Sequence, residues 1–233
     1  MTHTLKKWKR AAVLLLTSCM LLISACEDAS VSSSEAPEAS ATGSDGVIVA
    51  MGDSLTEGLG LDENQAYPAR LEERLAAEGY DYSVINAGIS GETSSGALSR
   101  VDWVLTLEPD IVILETGAND GLRGIDPSLT RTNIDTIVKR LVEEDVVVVL
   151  AGMKMFRNLG TAYVRDFEAV YPWVAERNDV ILVPFFLEGV AARATLNQSD
   201  GIHPTSEGYA KVVEGIWPYV REAIQTHQAK GRG

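Results

Sequence analysis

The chain is poor in the side chains that metal and redox chemistry use. Its 233 residues include two cysteines, Cys19 and Cys26, and three histidines, His3, His203 and His227. Both cysteines precede residue 27, so the rest of the chain has no thiol for a disulfide, a zinc site or a nucleophile. Only His203 lies far from either end, which leaves no histidine cluster for a metal. Basic residues are scarce, 20 against 33 acidic. Four of them (Lys6, Lys7, Lys9, Arg10) sit in the first ten positions and every acidic residue lies beyond residue 26. The chain beyond that leader therefore carries 20 − 4 = 16 positive against 33 negative charges, net −17. That field opposes nucleic acid and anionic lipid heads. No Gly-x-x-x-x-Gly-Lys occurs, and the glycines near residues 88–91 lack dinucleotide spacing, so no cofactor is expected. Aromatic content is 6%, little for stacking sugars. The apolar stretch at residues 11–23 is too short to span a bilayer.

That stretch follows the basic cluster and ends in small residues, the pattern of an export signal. It runs into Leu22-Ile23-Ser24-Ala25-Cys26, which resembles a bacterial lipobox and makes Cys26 the expected lipidated N-terminus. Cys19, after Leu16-Thr17-Ser18, fits the loose pattern but would leave a shorter apolar core. Residues 1–25 are thus read as a lipoprotein signal peptide. Residues 26–45, rich in Ser, Ala, Glu and Pro, read as a disordered tether, with a mean reach of about 25 Å. The expected location is a bacterial membrane, facing the periplasm or the cell exterior; a cleaved, secreted enzyme with a plain linker is the alternative.

Residues 46–225 are the size of one domain, and residues 226–233 read as a loose tail. Within the domain, apolar runs at 47–51, 82–86, 110–115, 146–151 and 180–183 alternate with helical periodicity at 67–78, 95–107, 128–144, 163–177 and beyond Pro204. The pattern predicts an α/β fold, a doubly wound, mostly parallel five-stranded sheet with helices on both faces. Ligands in such sheets bind outside the carboxyl ends of the strands. Ser54, residues 88–91, residues 117–120 and the loop from Met153 follow the first four strands in turn, so all fall on that edge.

Ser54, in Gly52-Asp53-Ser54-Leu55, follows the first strand on a tight turn, and Asp200 stands three residues before His203. A serine hydroxyl needs an imidazole to take its proton and a carboxylate to hold the imidazole. Each part also has an ordinary reading: Ser54 as a capping turn serine, Asp200 and His203 as a helix cap and a surface histidine.

The blocks taken together resemble the GDSL, or SGNH, hydrolase family, in its bacterial arylesterase, thioesterase and lysophospholipase branch. The resemblance rests on Gly52-Asp53-Ser54-Leu55-Thr56-Glu57-Gly58, Asn86-Ala87-Gly88-Ile89-Ser90-Gly91-Glu92-Thr93, Gly117-Ala118-Asn119-Asp120-Gly121 and Asp200-Gly201-Ile202-His203-Pro204. It implies Ser54 as nucleophile, His203 as general base and Asp200 as its orienting carboxylate. The backbone N–H groups of Ser54 and Gly91 and the amide of Asn119 would form the oxyanion hole. Asp53 is expected to orient neighbours or shape the turn, Gly88 and Gly117 to serve as turn glycines, and Asn86 and Asp120 to brace loops. The resemblance implies a serine esterase that hydrolyses small-molecule carboxylic esters (aryl, short to medium acyl, lysophospholipid) or thioesters through an acyl-serine intermediate. A carbohydrate or peptidoglycan O-acetyl esterase and a non-catalytic ligand-binding lipoprotein are the alternatives. Residues 153–163, apolar at Met153, Met155, Phe156 and Leu159, are a candidate wall for an acyl chain.

Overall fold

The computed structural model describes residues 45–231; the leader, Cys26 and nearly all of the expected tether lie outside them. In chain order the elements are β1 (Gly46–Gly52), α1 (Ser54–Glu57), α2 (Tyr67–Ala77), β2 (Tyr82–Gly88), α3 (Ser94–Ser99), α4 (Val101–Leu105), β3 (Ile111–Glu115), α5 (Ala118–Leu122), α6 (Pro127–Glu143), β4 (Val147–Ala151), α7 (Thr161–Glu168), α8 (Val170–Asn178), β5 (Ile181–Val183) and α9 (Ser206–Lys230). The strands form one parallel sheet in the order β2-β1-β3-β4-β5. All five expected strands are present.

The three inner strands are buried along most or all of their length, and β3 and β4 read IVILE and VVVLA. Strands covered by helices on both faces need apolar side chains on both. Helices α2 and α9 pack together over one face, while α3, α4, α6 and α8 cover the other. The first crossover leads leftward from β1 to β2 and the second returns past β1 to β3. Right-handed crossovers therefore put their helices on opposite faces. The strand order reverses between β1 and β3, where a crevice opens at their carboxyl ends.

Helix boundaries follow local chemistry. Asp126 caps α6 by accepting from the Ser128 amide at 2.8 Å, with Pro127 at the first helical position, where its missing N–H costs nothing. Thr205 caps α9 through the Gly208 amide at 3.2 Å.

Three expectations are corrected. The single helix expected at 95–107 is two, broken at Arg100, whose guanidinium reaches across to Glu92 at 2.6 Å and to the Gly52 carbonyl at 3.2 Å. The helix expected at 163–177 likewise divides at Ala169. The tail read as loose from residue 226 is helical to Lys230. It is held because Tyr82 Oη lies 2.7 Å from His227 Nδ1, His227 Nε2 lies 3.2 Å from Asp110 Oδ1, and Lys230 donates to the Asp145 carbonyl at 2.9 Å.

Candidate active site

The chain leaves β1 at Gly52 and enters α1 one residue later. Asp53 makes this abrupt entry possible: its carboxylate accepts from the Leu55 amide at 3.0 Å, capping the helix. Ser54 is thereby fixed at the first helical position, 8% exposed, reachable but held. Its Oγ lies 2.8 Å from His203 Nε2, and His203 Nδ1 lies 2.7 Å from Asp200 Oδ2.

The loop carrying Asp200 and His203 is organised by that same carboxylate. Asp200 Oδ1 accepts from the amides of Ile202 at 2.9 Å and His203 at 3.0 Å. These bonds, the Ile202 amide foremost and then the imidazole, hold its pKa down to about 2. A permanent carboxylate on Nδ1 fixes the ring proton there and leaves Nε2 free to accept from the serine. Gln198 ties this loop to the nucleophile side. Its amide N–H donates to the His203 carbonyl at 2.8 Å and its Nε2 to the Leu59 carbonyl at 2.7 Å.

Asn119 stands at the start of α5, after β3. Its Nδ2 donates to Asp53 Oδ2 at 2.9 Å, which uses one amide hydrogen and leaves the second for a substrate oxygen. Asp53 therefore both shapes the turn, as the cap of α1, and orients a neighbour, Asn119. Gly91 lies in the loop after β2, with φ +76°, a conformation glycine adopts without strain. The Ile89 amide ties this loop to the Gly52 carbonyl at 2.9 Å, and Arg123 Nη2 donates to the Gly91 carbonyl at 2.8 Å.

The bracing residues behave as expected. Asp120, fully buried, accepts from the Ser94 amide at 2.7 Å and the Thr130 hydroxyl at 3.1 Å, and Asn86 donates to the Glu57 carbonyl at 3.3 Å. Gly117 does turn the chain, at φ +100°, but Gly88 closes β2 rather than sitting in a turn.

Beneath the serine lies a residue the sequence reading passed over as the last of a strand. Glu115, with no exposed surface, accepts through Oε2 from the Asp53 amide at 3.2 Å and the Thr56 hydroxyl at 2.9 Å. Burial, and then the neighbouring Asp53 carboxylate, push its pKa well above the usual carboxylate range. Burial raises Asp53 as well, against the pull of the Leu55 amide, Glu115 and Asn119. Of the two, Glu115 is pushed up further and is the one that burial drives toward the neutral acid.

Beside the serine an apolar cavity of about 250 Å³ is lined by Leu55, Leu122, Met153, Met155, Phe156 and Ile202, among others. Leu55 and Ile202 are sequence neighbours of Ser54 and His203, so the cavity adjoins the Ser54–His203 pair. The expected apolar wall is present in its first part, residues 153–156. Its remainder turns elsewhere: Leu159 is exposed and Tyr163 Oη donates to the Ile125 carbonyl at 2.8 Å. Other surface hollows of 310, 420 and 530 Å³ are lined by none of Ser54, Asn119, Asp200 and His203.

Residues 50–211 match the model of the GDSL-like Lipase/Acylhydrolase family. The chain is 38% identical over 212 residues to Esterase TesA of Pseudomonas aeruginosa, covering 91% of this chain and 98% of that protein. It is 35% identical over 161 residues to Thioesterase 1/protease 1/lysophospholipase L1 of Escherichia coli strain K12, covering 69% and 76%. A crystal structure of TesA superposes with a TM-score of 0.73 at 41% identity, over 76% of this chain and 99% of that one.

Two outcomes follow from this geometry. Asn119→Ala should lower turnover of an ester by about a hundred- to a thousand-fold, the size of a lost oxyanion donor, with an unchanged circular dichroism spectrum. Because the folded pKa of Asp200 is depressed, its stabilising contribution is complete above the unfolded value of about 3.9 and is lost as pH falls through about 2. Carboxyl ¹³C NMR should show Asp200 titrating near that lower value. In His203→Ala the midpoint should rise yet stay below 3.8, since the Ile202 amide remains.

Proposed function

From a chain that belongs to the GDSL-like Lipase/Acylhydrolase family and is a serine esterase, we propose a reaction run by Ser54, His203 and Asp200 on medium-chain acyl esters and thioesters. The observation that carries this reading is the continuous hydrogen-bonded line from Asp200 through His203 to the Ser54 hydroxyl.

His203 Nε2 takes the Ser54 proton as Oγ attacks the acyl carbonyl. The resulting oxyanion is met by the free N–H of Asn119 and by the backbone amides of Gly91 and Ser54. The proton then passes from His203 to the leaving alcohol or thiol, leaving an acyl-Ser54 ester. A water deprotonated by the same imidazole releases the acid.

The cavity beside Ser54 supports the substrate class. A methylene takes roughly the 30 Å³ of a water molecule, so 250 Å³ accommodates about eight carbons. Each buried methylene is worth about 0.8 kcal/mol, or up to about fourfold in kcat/KM. Lysophospholipids with chains of that reach belong to the same class, and the P. aeruginosa and E. coli relatives carry esterase, thioesterase and lysophospholipase in their names.

A series of p-nitrophenyl esters tests the reading. kcat/KM should climb from acetyl to about octanoyl and then level, and Ser54→Ala should abolish both hydrolysis and fluorophosphonate labelling. Activity confined to acetyl esters would remove the medium-chain assignment, and a folded wild type that takes no fluorophosphonate would remove Ser54.

The same proposal includes export and a thioether-linked lipid on Cys26, supported by the basic cluster, the apolar stretch and the lipobox-like residues before it. The acidic domain would then work tethered at a membrane, facing the periplasm or the cell exterior. Mass spectrometry of the mature N-terminal peptide should find a diacylglycerol-modified Cys26; an unmodified Cys26 would exclude the anchor.

A further inference from the structure

Glu115 closes β3 in the interior of the sheet. Parallel register sets Met51 beside Leu114, so the residues that follow, Gly52 and Glu115, end their strands side by side. The carboxyl reaches under the nucleophile turn only because residue 52 is glycine. A Cβ there would fall 2.6 Å from Glu115 Oε2 and 2.1 Å from Thr56 Oγ1.

Among the described residues no lysine, arginine or histidine pairs with Glu115, and its Oε1 is buried without a hydrogen-bond partner. An ionised carboxylate sealed in this way, beside Asp53, is untenable. A neutral acid is not, and its carbonyl oxygen still accepts two hydrogen bonds.

We propose that Glu115 is a positioning residue of the hydrolysis: as a neutral acid it fixes the Asp53 peptide and the Thr56 hydroxyl. It thereby sets both the Ser54 turn and, through the Asp53 carboxylate, the Asn119 donor. This rests on the reading of Ser54 as nucleophile. One acceptor thus fixes two reacting groups from different strands, Ser54 after β1 and Asn119 after β3. Placement errors of about 1 Å cost on the order of a hundredfold in rate, so the loss should fall on kcat rather than on substrate binding.

The test compares wild type, Glu115→Gln, Glu115→Ala and Thr56→Val, with kcat expressed per fluorophosphonate-titrated site. That normalisation removes any loss of folded enzyme, so a purely stabilising role would leave it unmoved. Glutamine presents the same carbonyl acceptor without charge. Glu115→Gln should keep kcat within about threefold, whereas Glu115→Ala should lower it about ten- to a hundredfold with KM changed less than about twofold.

Thr56→Val, which removes one of the two bonds, should fall between them. It carries the test if Glu115→Ala does not fold. Full kcat in the alanine variant, or in Thr56→Val where alanine does not fold, overturns the proposal, as does a glutamine variant as damaged as the alanine. Loss of labelling in wild type overturns this proposal together with the Ser54 reading, whereas normal labelling with indifferent variants overturns this one alone.

Discussion

The parallel pairing of β1 with β3, Met51 level with Leu114, is the constraint on which the site depends. It ends two neighbouring strands at one height, where the strand order reverses and no crossover helix fills the gap. The serine turn leaves one strand and the asparagine loop leaves the other. Asp53 bridges them with one oxygen on the Leu55 amide and one on Asn119. A slip of one residue would invert every side chain of a strand and pull these partners apart. It would also turn Glu115, the acidic end of β3, away from the Asp53 amide and the Thr56 hydroxyl.

Charge is distributed around this junction by solvent access. Asp200 is wet, bonded by amides and imidazole, and stays ionised. Glu115, bonded to the Asp53 amide and the Thr56 hydroxyl on either side of the same serine, is dry, and burial drives it toward the neutral acid. Two carboxyls with opposite protonation can therefore serve different ends: one holds a tautomer on the outside of the cluster, the other supplies a neutral acceptor beneath it.

The sheet was legible because fully covered parallel strands produce apolar runs with turn residues at each end, and all five runs became strands. The chemistry was legible because Ser54 and Asn119 each follow such a run, and because Asp200 stands three residues before His203 in a block resembling the family's. Glu115 was not, since a strand buried on both faces shows no alternation from which an inward acid can be distinguished from a strand end. Its trace was present only as a single acidic residue finishing IVIL. The break at Arg100 was also hidden: the apolar spacing of residues 98–105 runs through it, and only the distant Glu92 and Gly52 carbonyl pull the arginine out of helical register. The last residues of α9 look like solvent-facing tail because their partners, Tyr82 and Asp110, lie at the far end of the sheet.

Ser54 and His203 are 149 residues apart in the chain. Closing so long a loop adds little to the equilibrium cost, about 0.6 kcal/mol per doubling of length. In time it is expensive, because non-local parallel pairings form late. The contact between serine and imidazole requires β1 to have docked and β5 to have added at the opposite edge, with α9 laid back across the sheet. A chain with four strands in place would carry the serine, the asparagine and half the acyl cavity and still lack its base. During synthesis the hydrolase is thus inert until the segment after β5 arrives, and ester turnover marks the end of folding rather than its progress.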